Sequence, residues 1–198
     1  MKPPAKNQSV TAVATCMGEE AHRMVWMDLE MTGLSVSTES IIEIATVVTD
    51  GELNILAQGP NLAIRVPEAL LDAMDEWNTT HHHNSGLVDR IKNEGVSVEE
   101  AEEATLAFLS QWVEPNTAPL CGNSIWNDRR FLEKEMPRLL DFLHYRMVDV
   151  STVKELAGRW YPNLSRYPKK GAHLALDDTL ESIEELRYFR ERIFTHQD

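Results

Sequence analysis

Residues 24–34 read MVWMDLEMTGL, an apolar run that carries two acids, Asp28 and Glu30, one residue apart. The pattern predicts a β-strand, on which successive side chains alternate, so both acids lie on one face together with Trp26. The opposite face is apolar and consists of Val25, Met27 and Leu29. Like charges on one face repel and are costly to bury unpaired, so the expected partner is a cation. The alternative is a strand end with both acids in solvent, which so short a pattern does not exclude.

Two further strands are predicted after this one. The segment IIEIATVVTD at 41–50 is rich in β-branched residues, a turn follows at Asp50 and Gly51, and LNILAQGPNLAIRV at 53–66 reads as the third strand. Three consecutive strands predict an antiparallel meander.

Helical patterns follow the third strand. Pro67 opens PEALLDAMDEW, a helix that Trp77 ends, and the next segment, with His81, His82 and His83, is predicted to be a loop. Ser97 and Glu100 form a capping box that opens a helix through Val113.

The second half alternates strands and helices. APLCGNS at 118–124 is a short buried strand leading into the helix DRRFLEKEM, which Pro137 stops. YRMVDVS at 145–151 repeats this form, with Ser151 as the N-cap of the next helix, and residues 174–194 form one long helix. The predicted fold is α/β: a mixed sheet, antiparallel in its first three strands and parallel afterwards, flanked by helices.

Composition predicts one domain in a reducing compartment. The chain has 198 residues, 42% of them hydrophobic, and no linker divides it, so residues 23–198 are read as a single domain after a disordered tail at 1–22. Its longest apolar stretch is too short to cross a bilayer, so we expect no membrane partner. Cys16 and Cys121 match no metal or disulfide framework, which favours the cytoplasm.

The charge of the chain limits its mode of binding. A formal net charge of −13 argues against a protein that coats long nucleic acid through a basic surface. It does not exclude a small anionic substrate held by bound cations.

More acids are expected at one edge of the sheet. Asp128 falls just beyond a predicted strand, and the same edge should hold Asp149 in MVDVS. HLALDD places Asp177 and Asp178 at the start of the last helix. Asp128 can also be read as a first-turn acid favoured by the helix dipole, and the last two acids as a solvated pair. Periodicity does not decide which of those two faces inward.

Four motifs in order resemble the oligoribonuclease family of the DEDDh 3′-to-5′ exonuclease superfamily. They are WMDLEMTGL, GNSIWNDRRFL, HYRMVDVSTVKEL and HLALDDTLES, with WNTTHHHNSGL between the first two, and they span about residues 24–194. The resemblance implies a ribonuclease H-like fold and degradation of short single-stranded oligoribonucleotides, dinucleotides above all, to 5′-mononucleotides.

The resemblance also implies a site of four acids and one histidine. The acids fall on Asp28, Glu30, Asp128 and Asp178, which selects Asp178 over Asp177, and the histidine falls on His173. Oxygen-only ligands favour Mg²⁺ or Mn²⁺, and two such ions can activate a water and stabilise the leaving 3′ oxygen. His173 is the expected general base, because an imidazole outside the metal ligands can take a proton near neutral pH.

Substrate contacts are implied as well. Leu34 and Trp77 are the expected platform for the bases, although a tryptophan on an amphipathic helix can equally be a core residue. The positions around the substrate's 5′ phosphate are His82, Ser124, Arg146 and Ser151, with Tyr145 supplied by the second subunit of a homodimer. Ser151 has an alternative role as a helix cap, and Tyr145 as a residue of its own core; a zinc site at the histidine run is disfavoured.

Two other functions share parts of this pattern. A DNA-trimming exonuclease of the same superfamily has the same acids, and the motifs HYRMVDVS and WNTTHHHNSGL favour the ribonuclease. A catalytically silent binding module is expected to lose some acids or the histidine, and here all five are present.

Overall fold

A computed structural model of the chain describes residues 22–168 and 174–194. Its strands are β1 (Met24–Met31), β2 (Ile41–Thr49), β3 (Ile55–Ala63), β4 (Pro119–Gly122) and β5 (His144–Asp149). Its helices within those residues are α1 (Glu68–Asp72), α2 (Glu76–Asn84), α3 (Leu87–Glu94), α4 (Val98–Leu109), α5 (Trp126–Glu135), α6 (Pro137–Phe142), α7 (Val150–Trp160) and α8 (Ala175–Ile193).

The five strands form one mixed sheet in the order β3-β2-β1-β4-β5. The pairs β1–β2 and β2–β3 are antiparallel, as the predicted meander requires, and β1–β4 and β4–β5 are parallel. The predicted mixed α/β sheet is therefore confirmed. It places β1 at the centre, between β2 and β4, while the chain passes from β4 into α5 and directly from β5 into α7.

Strand β1 separates two apolar cores, and its alternation assigns each side chain to one of them. One core contains the face formed by Val25, Met27 and Leu29. The other contains Trp26, which packs with residues of α7 and α8 such as Ala157 and Ile183. Because Asp28 and Glu30 lie on the same side of the strand as Trp26, they face the layer in which α8 crosses β1 and β2.

The histidine run is helical, which contradicts the predicted loop. His81, His82 and His83 lie in α2, whose N-cap Asp75 accepts a hydrogen bond from the backbone N–H of Asn78 at 2.8 Å. The helical pattern after Pro67 is therefore divided into two helices. The first, α1, ends at Asp72, and α2 begins after its cap, Asp75. Trp77 is consequently the second residue of a helix, where the sequence predicted the last.

Several other boundaries differ from the sequence prediction. The third strand ends at Ala63, and the helix opened by the Ser97–Glu100 capping box, which is confirmed, ends at Leu109. Helix α5 ends at Glu135, just before Pro137, as predicted, and Pro137 itself occupies the first turn of a further helix, α6, where proline needs no partner for its missing N–H.

The described residues limit two other expectations. The predicted tail at 1–22 lies outside them except for His22, and so does His173. Among the described residues, the helices are too short or too polar to span a membrane.

Candidate active site

Three acids from two elements meet on the α8 side of the sheet. Asp28 and Glu30 come from β1, Asp178 comes from the first turns of α8, and each offers a carboxylate oxygen within 4.8 Å of the others. All three side chains are partly buried. Asp177 is exposed, so the helix brings Asp178 and not its neighbour to the group, in agreement with the register implied by the motif.

Asp128 lies beside this group and is tied to the same strand. It is the third residue of α5 and is buried, and its Oδ1 atom accepts a hydrogen bond from the backbone N–H of Leu29 at 3.0 Å. Leu29 stands between Asp28 and Glu30, so the hydrogen bond fixes α5 against the D-x-E segment. Asp128 is therefore a first-turn acid, as the alternative interpretation has it, but it is buried and holds β1, which an acid favoured only by the helix dipole would not do.

The electrostatics of this group call for a cation. Burial, followed by the charges of Asp128 and Glu30, raises the pKa of Asp28 well above its usual range. Burial and the charge of Asp178 raise the pKa of Glu30 to about 8, and burial raises that of Asp128 to about 7. Such carboxyls hold protons near neutral pH unless a cation replaces them, and clustered carboxylate oxygens suit hard divalent ions such as Mg²⁺ and Mn²⁺. The donor set thus fits the expected metal.

Sequence reasoning missed a fifth acid, Glu43. It lies opposite Glu30 across the β1–β2 pair and is fully buried. One carboxylate oxygen bonds the guanidinium of Arg90 and the other accepts from the backbone N–H of Ala175. The available signal was a single acid in the otherwise uncharged run IIEIATVVT, where a charge is rarely buried without a partner.

Two of the expected phosphate contacts meet each other. The hydroxyl oxygens of Ser124 and Ser151 lie 3.0 Å apart, and the backbone N–H of Ser124 donates to Oδ1 of Asp149 at 2.9 Å. Asp149, and not Ser151, is the N-cap of α7, and its Oδ1 also accepts from the Ser151 N–H. The N-cap prediction for Ser151 is therefore wrong, which leaves its hydroxyl beside that of Ser124.

A network that the sequence did not indicate supports this pair of hydroxyls. The side-chain oxygen of Asn123 accepts from the Ser151 hydroxyl at 3.0 Å and from Lys154 Nζ at 3.4 Å. Its amide nitrogen donates to Ser182 Oγ and to Glu185 Oε2. Asn123 thereby connects Ser151 to α8, the helix that carries the third clustered acid.

Tyr145 and Arg146 lie on the exposed edge of the sheet. Both belong to β5, the outermost strand, and the guanidinium of Arg146 stands 5.4 Å from the ring centroid of Tyr145. The Tyr145 side chain is 74% exposed, so the alternative that it packs in its own core is wrong. Arg146 is exposed as well.

The expected base platform is accessible. Leu34 is 73% exposed and Trp77 is 57% exposed, so the core reading of Trp77 is wrong. Trp77 stacks on His81 with ring centroids 3.9 Å apart.

His82, another expected phosphate contact, is held against the end of β1. It is buried, its Nε2 atom lies 3.1 Å from the carbonyl oxygen of Met31, and burial lowers its pKa. This contact ties α2, and therefore Trp77, to the end of β1 directly after Glu30. The contact with Met31 shows that His82 attaches α2 to β1. Its role as a phosphate contact stays a prediction.

Comparison with known proteins identifies relatives along nearly the whole chain. The family model RNase_T, described as an exonuclease, matches residues 25–186. The chain is 58% identical over 176 residues to the oligoribonuclease of Alcanivorax borkumensis, covering 88% of this chain and 97% of that protein. It is 55% identical over 174 residues to the oligoribonuclease of Hydrogenovibrio crunogenus, covering 87% and 95%.

Solved structures share the fold. Exonuclease I from Methylocaldum szegediense matches 86% of this chain and 41% of its own, with a TM-score of 0.65 and 18% identity. E. coli exonuclease I in complex with a dA16 oligonucleotide matches the same shares with a TM-score of 0.68 and 13% identity. The chain thus spans about two fifths of these proteins, and the likeness confirms the ribonuclease H-like fold.

Proposed function

Since the chain belongs to the RNase_T exonuclease family and groups there with the oligoribonucleases, we propose that it is a 3′-to-5′ exoribonuclease of short RNA. Its substrates are single-stranded oligoribonucleotides, dinucleotides above all, and its products are 5′-mononucleotides. The observation that carries the proposal is the convergence of Asp28, Glu30 and Asp178 in a chain of this family.

The proposed cofactor is a pair of Mg²⁺ or Mn²⁺ ions. The residues that would hold them are the three clustered acids and Asp128, whose second oxygen is not used by the bond to Leu29. When bound, such ions polarise the phosphate, lower the pKa of water and stabilise the leaving oxygen. The raised pKa values of Glu30 and Asp128 favour this assignment, because a bound cation offsets the repulsion of carboxylates that the fold holds close together.

In this proposal His173 is the general base. Water attacks the phosphorus atom of the terminal phosphodiester while His173 takes a proton from the water, the bond from phosphorus to the 3′ oxygen of the preceding nucleotide breaks, and that oxygen takes a proton from solvent to become the free 3′ hydroxyl. His173 is assigned by its place in the H-x-A-x-x-D motif, five residues before Asp178.

Leu34 and Trp77 are proposed to hold the bases. Both expose apolar surface and both are linked to the end of β1, Leu34 by the chain and Trp77 through the contact of His82 with Met31. A base stacked on an aromatic ring gains about 1–3 kcal/mol without reading its identity. Such contacts suit an enzyme that degrades RNA of any sequence.

The 5′ phosphate of the substrate is proposed to bind between Ser124, Ser151 and Arg146. The two hydroxyls lie together, and a guanidinium from the neighbouring strand offers the charge that a terminal phosphate needs. A clamp on the 5′ phosphate limits the length of chain that fits between it and the acids, which is the reason for the preference for dinucleotides.

We also propose that the active species is a two-fold homodimer located in the cytoplasm. Tyr145, Met147 and Trp160 leave apolar surface exposed on or after the edge strand β5, and such a surface favours association. In the dimer, Tyr145 of each subunit completes the site of the other. The compartment is inferred from Cys121, a buried free thiol of the kind that persists in a reducing environment.

One assay tests the activity, its polarity and its substrate class. RNAs of two to seven residues, labelled at the 5′ end, and DNAs of the same sequence are incubated with Mg²⁺, Mn²⁺ or chelator. We expect stepwise loss of 3′ nucleotides from RNA, fastest for the dinucleotide, and no cleavage with chelator. Faster cleavage of DNA than of RNA would instead support the DNA-trimming function, and no cleavage of either would support the silent module.

A further inference from the structure

Helix α8 begins without a capping side chain of its own. Its N-cap is Leu174, which makes no side-chain hydrogen bond to the first turn. The first N–H groups of a helix lack partners within the helix and need them when they are buried. Because Asp178 lies in the first turns of α8, whatever binds these groups also fixes where this acid points.

The missing cap comes from β2. Oε2 of Glu43 accepts a hydrogen bond from the backbone N–H of Ala175, the first residue of α8, at 3.2 Å. The other oxygen of Glu43 bonds the guanidinium of Arg90 in α3. With one partner on each oxygen, Glu43 binds two different elements and remains outside the group of three clustered acids.

The position of Glu43 connects the two elements that supply the clustered acids. In the β1–β2 register Glu43 is paired with Glu30, and through Ala175 it reaches the helix start three residues before Asp178. A helix whose first residue is fixed has the rotation of its first turn fixed as well. Glu43 therefore sets how Asp178 of α8 stands relative to Glu30 of β1.

This arrangement is electrostatically costly. The charge of Glu43 adds to the effects that raise the pKa values of Asp28 and Glu30. Arg90 offsets the charge of Glu43 itself, since a fully buried carboxylate needs a paired cation. An apolar residue in β2 would remove the repulsion, but α8 would then lose its cap.

We propose that Glu43, held by Arg90, is a positioning residue that caps α8 from the neighbouring strand and sets the register of Asp178 against the acids of β1. The inference rests on the proposed function for its catalytic consequence alone. The cap itself is a property of the folded chain and can be measured without substrate or metal.

The molecule contains a matched control for this device. Glu102 of α4 is also buried, accepts a hydrogen bond from Arg138 at 2.7 Å, and accepts one from the backbone N–H of Leu139 in α6 at 3.1 Å. The chemistry is the same as at Glu43, an acid with one arginine and one helix N–H. Glu102 and its partners carry no proposed contact with metal or substrate.

The test compares Glu43→Ala, Glu43→Gln and Glu102→Ala in the full chain. In metal-free protein, hydrogen exchange of the backbone amides at 175–178 should accelerate in Glu43→Ala and stay as in the wild type in Glu102→Ala. With Mn²⁺ and a dinucleotide, Glu43→Ala should lower kcat by about 10–100-fold, as loss of partners that orient metal ligands does. KM should change little, because the base and phosphate contacts lie elsewhere, and Glu102→Ala should keep the wild-type kcat.

Glu43→Gln separates a cap from a metal ligand. Its amide oxygen can still accept from Ala175, but its amide nitrogen cannot accept from Arg90, so it should recover part of the kcat lost in Glu43→Ala and slow the exchange at 175–178 relative to Glu43→Ala, whereas a ligand carboxylate would not be replaced. Equal losses in Glu43→Gln and Glu43→Ala, or unchanged exchange at 175–178 in Glu43→Ala, would overturn the proposal. If the wild type cleaves no RNA, the proposed function is wrong, and the exchange rates still decide whether Glu43 caps α8.

Discussion

The backbone N–H of Leu29 donates a hydrogen bond to Oδ1 of Asp128 over 3.0 Å. This bond joins the middle of the D-x-E segment of β1 to α5. It therefore fixes the position of Asp128 relative to Asp28 and Glu30. It occupies one oxygen of Asp128, and in the proposed site the other oxygen would bind a cation. The acids are thus arranged by the fold before any metal binds.

Replacing a clustered acid should abolish nearly all turnover. We expect Asp178→Asn to lower kcat/KM for a dinucleotide by more than about 100-fold, because loss of a ligand exceeds the effect typical of partners that only orient ligands. Asp28→Asn, Glu30→Gln and Asp128→Asn should behave alike. Asp177→Asn is the matched control and should be mild, since Asp177 is exposed. An inactive Asp177→Asn with an active Asp178→Asn would reverse the assignment, provided circular dichroism shows both folded.

His173→Ala should reduce turnover and preserve binding. A general base acts in the transition state, so kcat should fall by roughly 10²–10⁴-fold while Mn²⁺ affinity and the dissociation constant of a non-hydrolysable dinucleotide stay unchanged. Calorimetric titration of both ligands is the measurement. A matching loss of Mn²⁺ affinity would make His173 a metal ligand.

Arg146→Ala should be most harmful for the shortest substrate. A dinucleotide depends on its 5′ phosphate contact, whereas a longer RNA makes others, so kcat/KM should fall more for two nucleotides than for seven. The relevant quantity is the ratio of the two losses. The same loss at both lengths would remove the phosphate clamp from the proposal.

Mixed dimers should reveal whether the site is shared. Tyr145→Ala and Asp28→Asn should each impair their own homodimer. In a heterodimer the Asp28→Asn subunit still supplies its tyrosine to the intact acids of the Tyr145→Ala subunit, so activity should return when the two are mixed. Absence of recovery after subunit exchange has been demonstrated by mass spectrometry would contradict the shared site.

The metal-free protein should lose stability as pH rises. Folded Glu30 has a pKa of about 8 and folded Asp128 one of about 7, both above the values near 4 of an unfolded chain. Between about pH 4 and pH 8 the folded state binds more protons than the unfolded state, so the free energy of unfolding falls with increasing pH. Below about pH 4 both states are protonated, and the free energy of unfolding no longer depends on pH through these groups.

Thermal unfolding in chelator from pH 5 to pH 8 measures this effect. Glu30→Gln should flatten the slope, because it removes one of the titrating groups. Added Mn²⁺ should stabilise the wild type more at pH 8 than at pH 5, since protons and the ion compete for the same oxygens. A slope identical in the wild type and in Glu30→Gln would exclude Glu30 as its source.

The sequence was enough to predict those features of the site that depend on neighbouring residues alone. The period of two in β1 was enough to place Asp28 and Glu30 on one face, because alternation follows from strand geometry alone. The order of strands and helices was enough for the mixed sheet. Periodicity could not choose between Asp177 and Asp178; the family motif selects Asp178, which is the acid that lies near Asp28 and Glu30 in the structure.

Long-range partners set what the sequence could not predict. Glu43 belongs to a strand buried along its whole length, so no alternation marks a site face, and its partners Arg90 and Ala175 are 47 and 132 residues away. The break between α1 and α2 depends on Asp75 acting as a cap within an otherwise continuous helical pattern. Asp149 and Ser151 are both favourable N-cap residues, and sequence preference alone could not show that Asp149 caps α7.

The two faces of β1 also constrain how the gene for this protein can change. A substitution alters one side chain on one face, but an inserted or deleted codon between Met24 and Glu30 would send every later side chain of the strand to the opposite side. The acids would then enter the apolar core and leucine or methionine would stand where the acids meet. During evolution, β1 can therefore accept substitutions while its number of residues stays fixed.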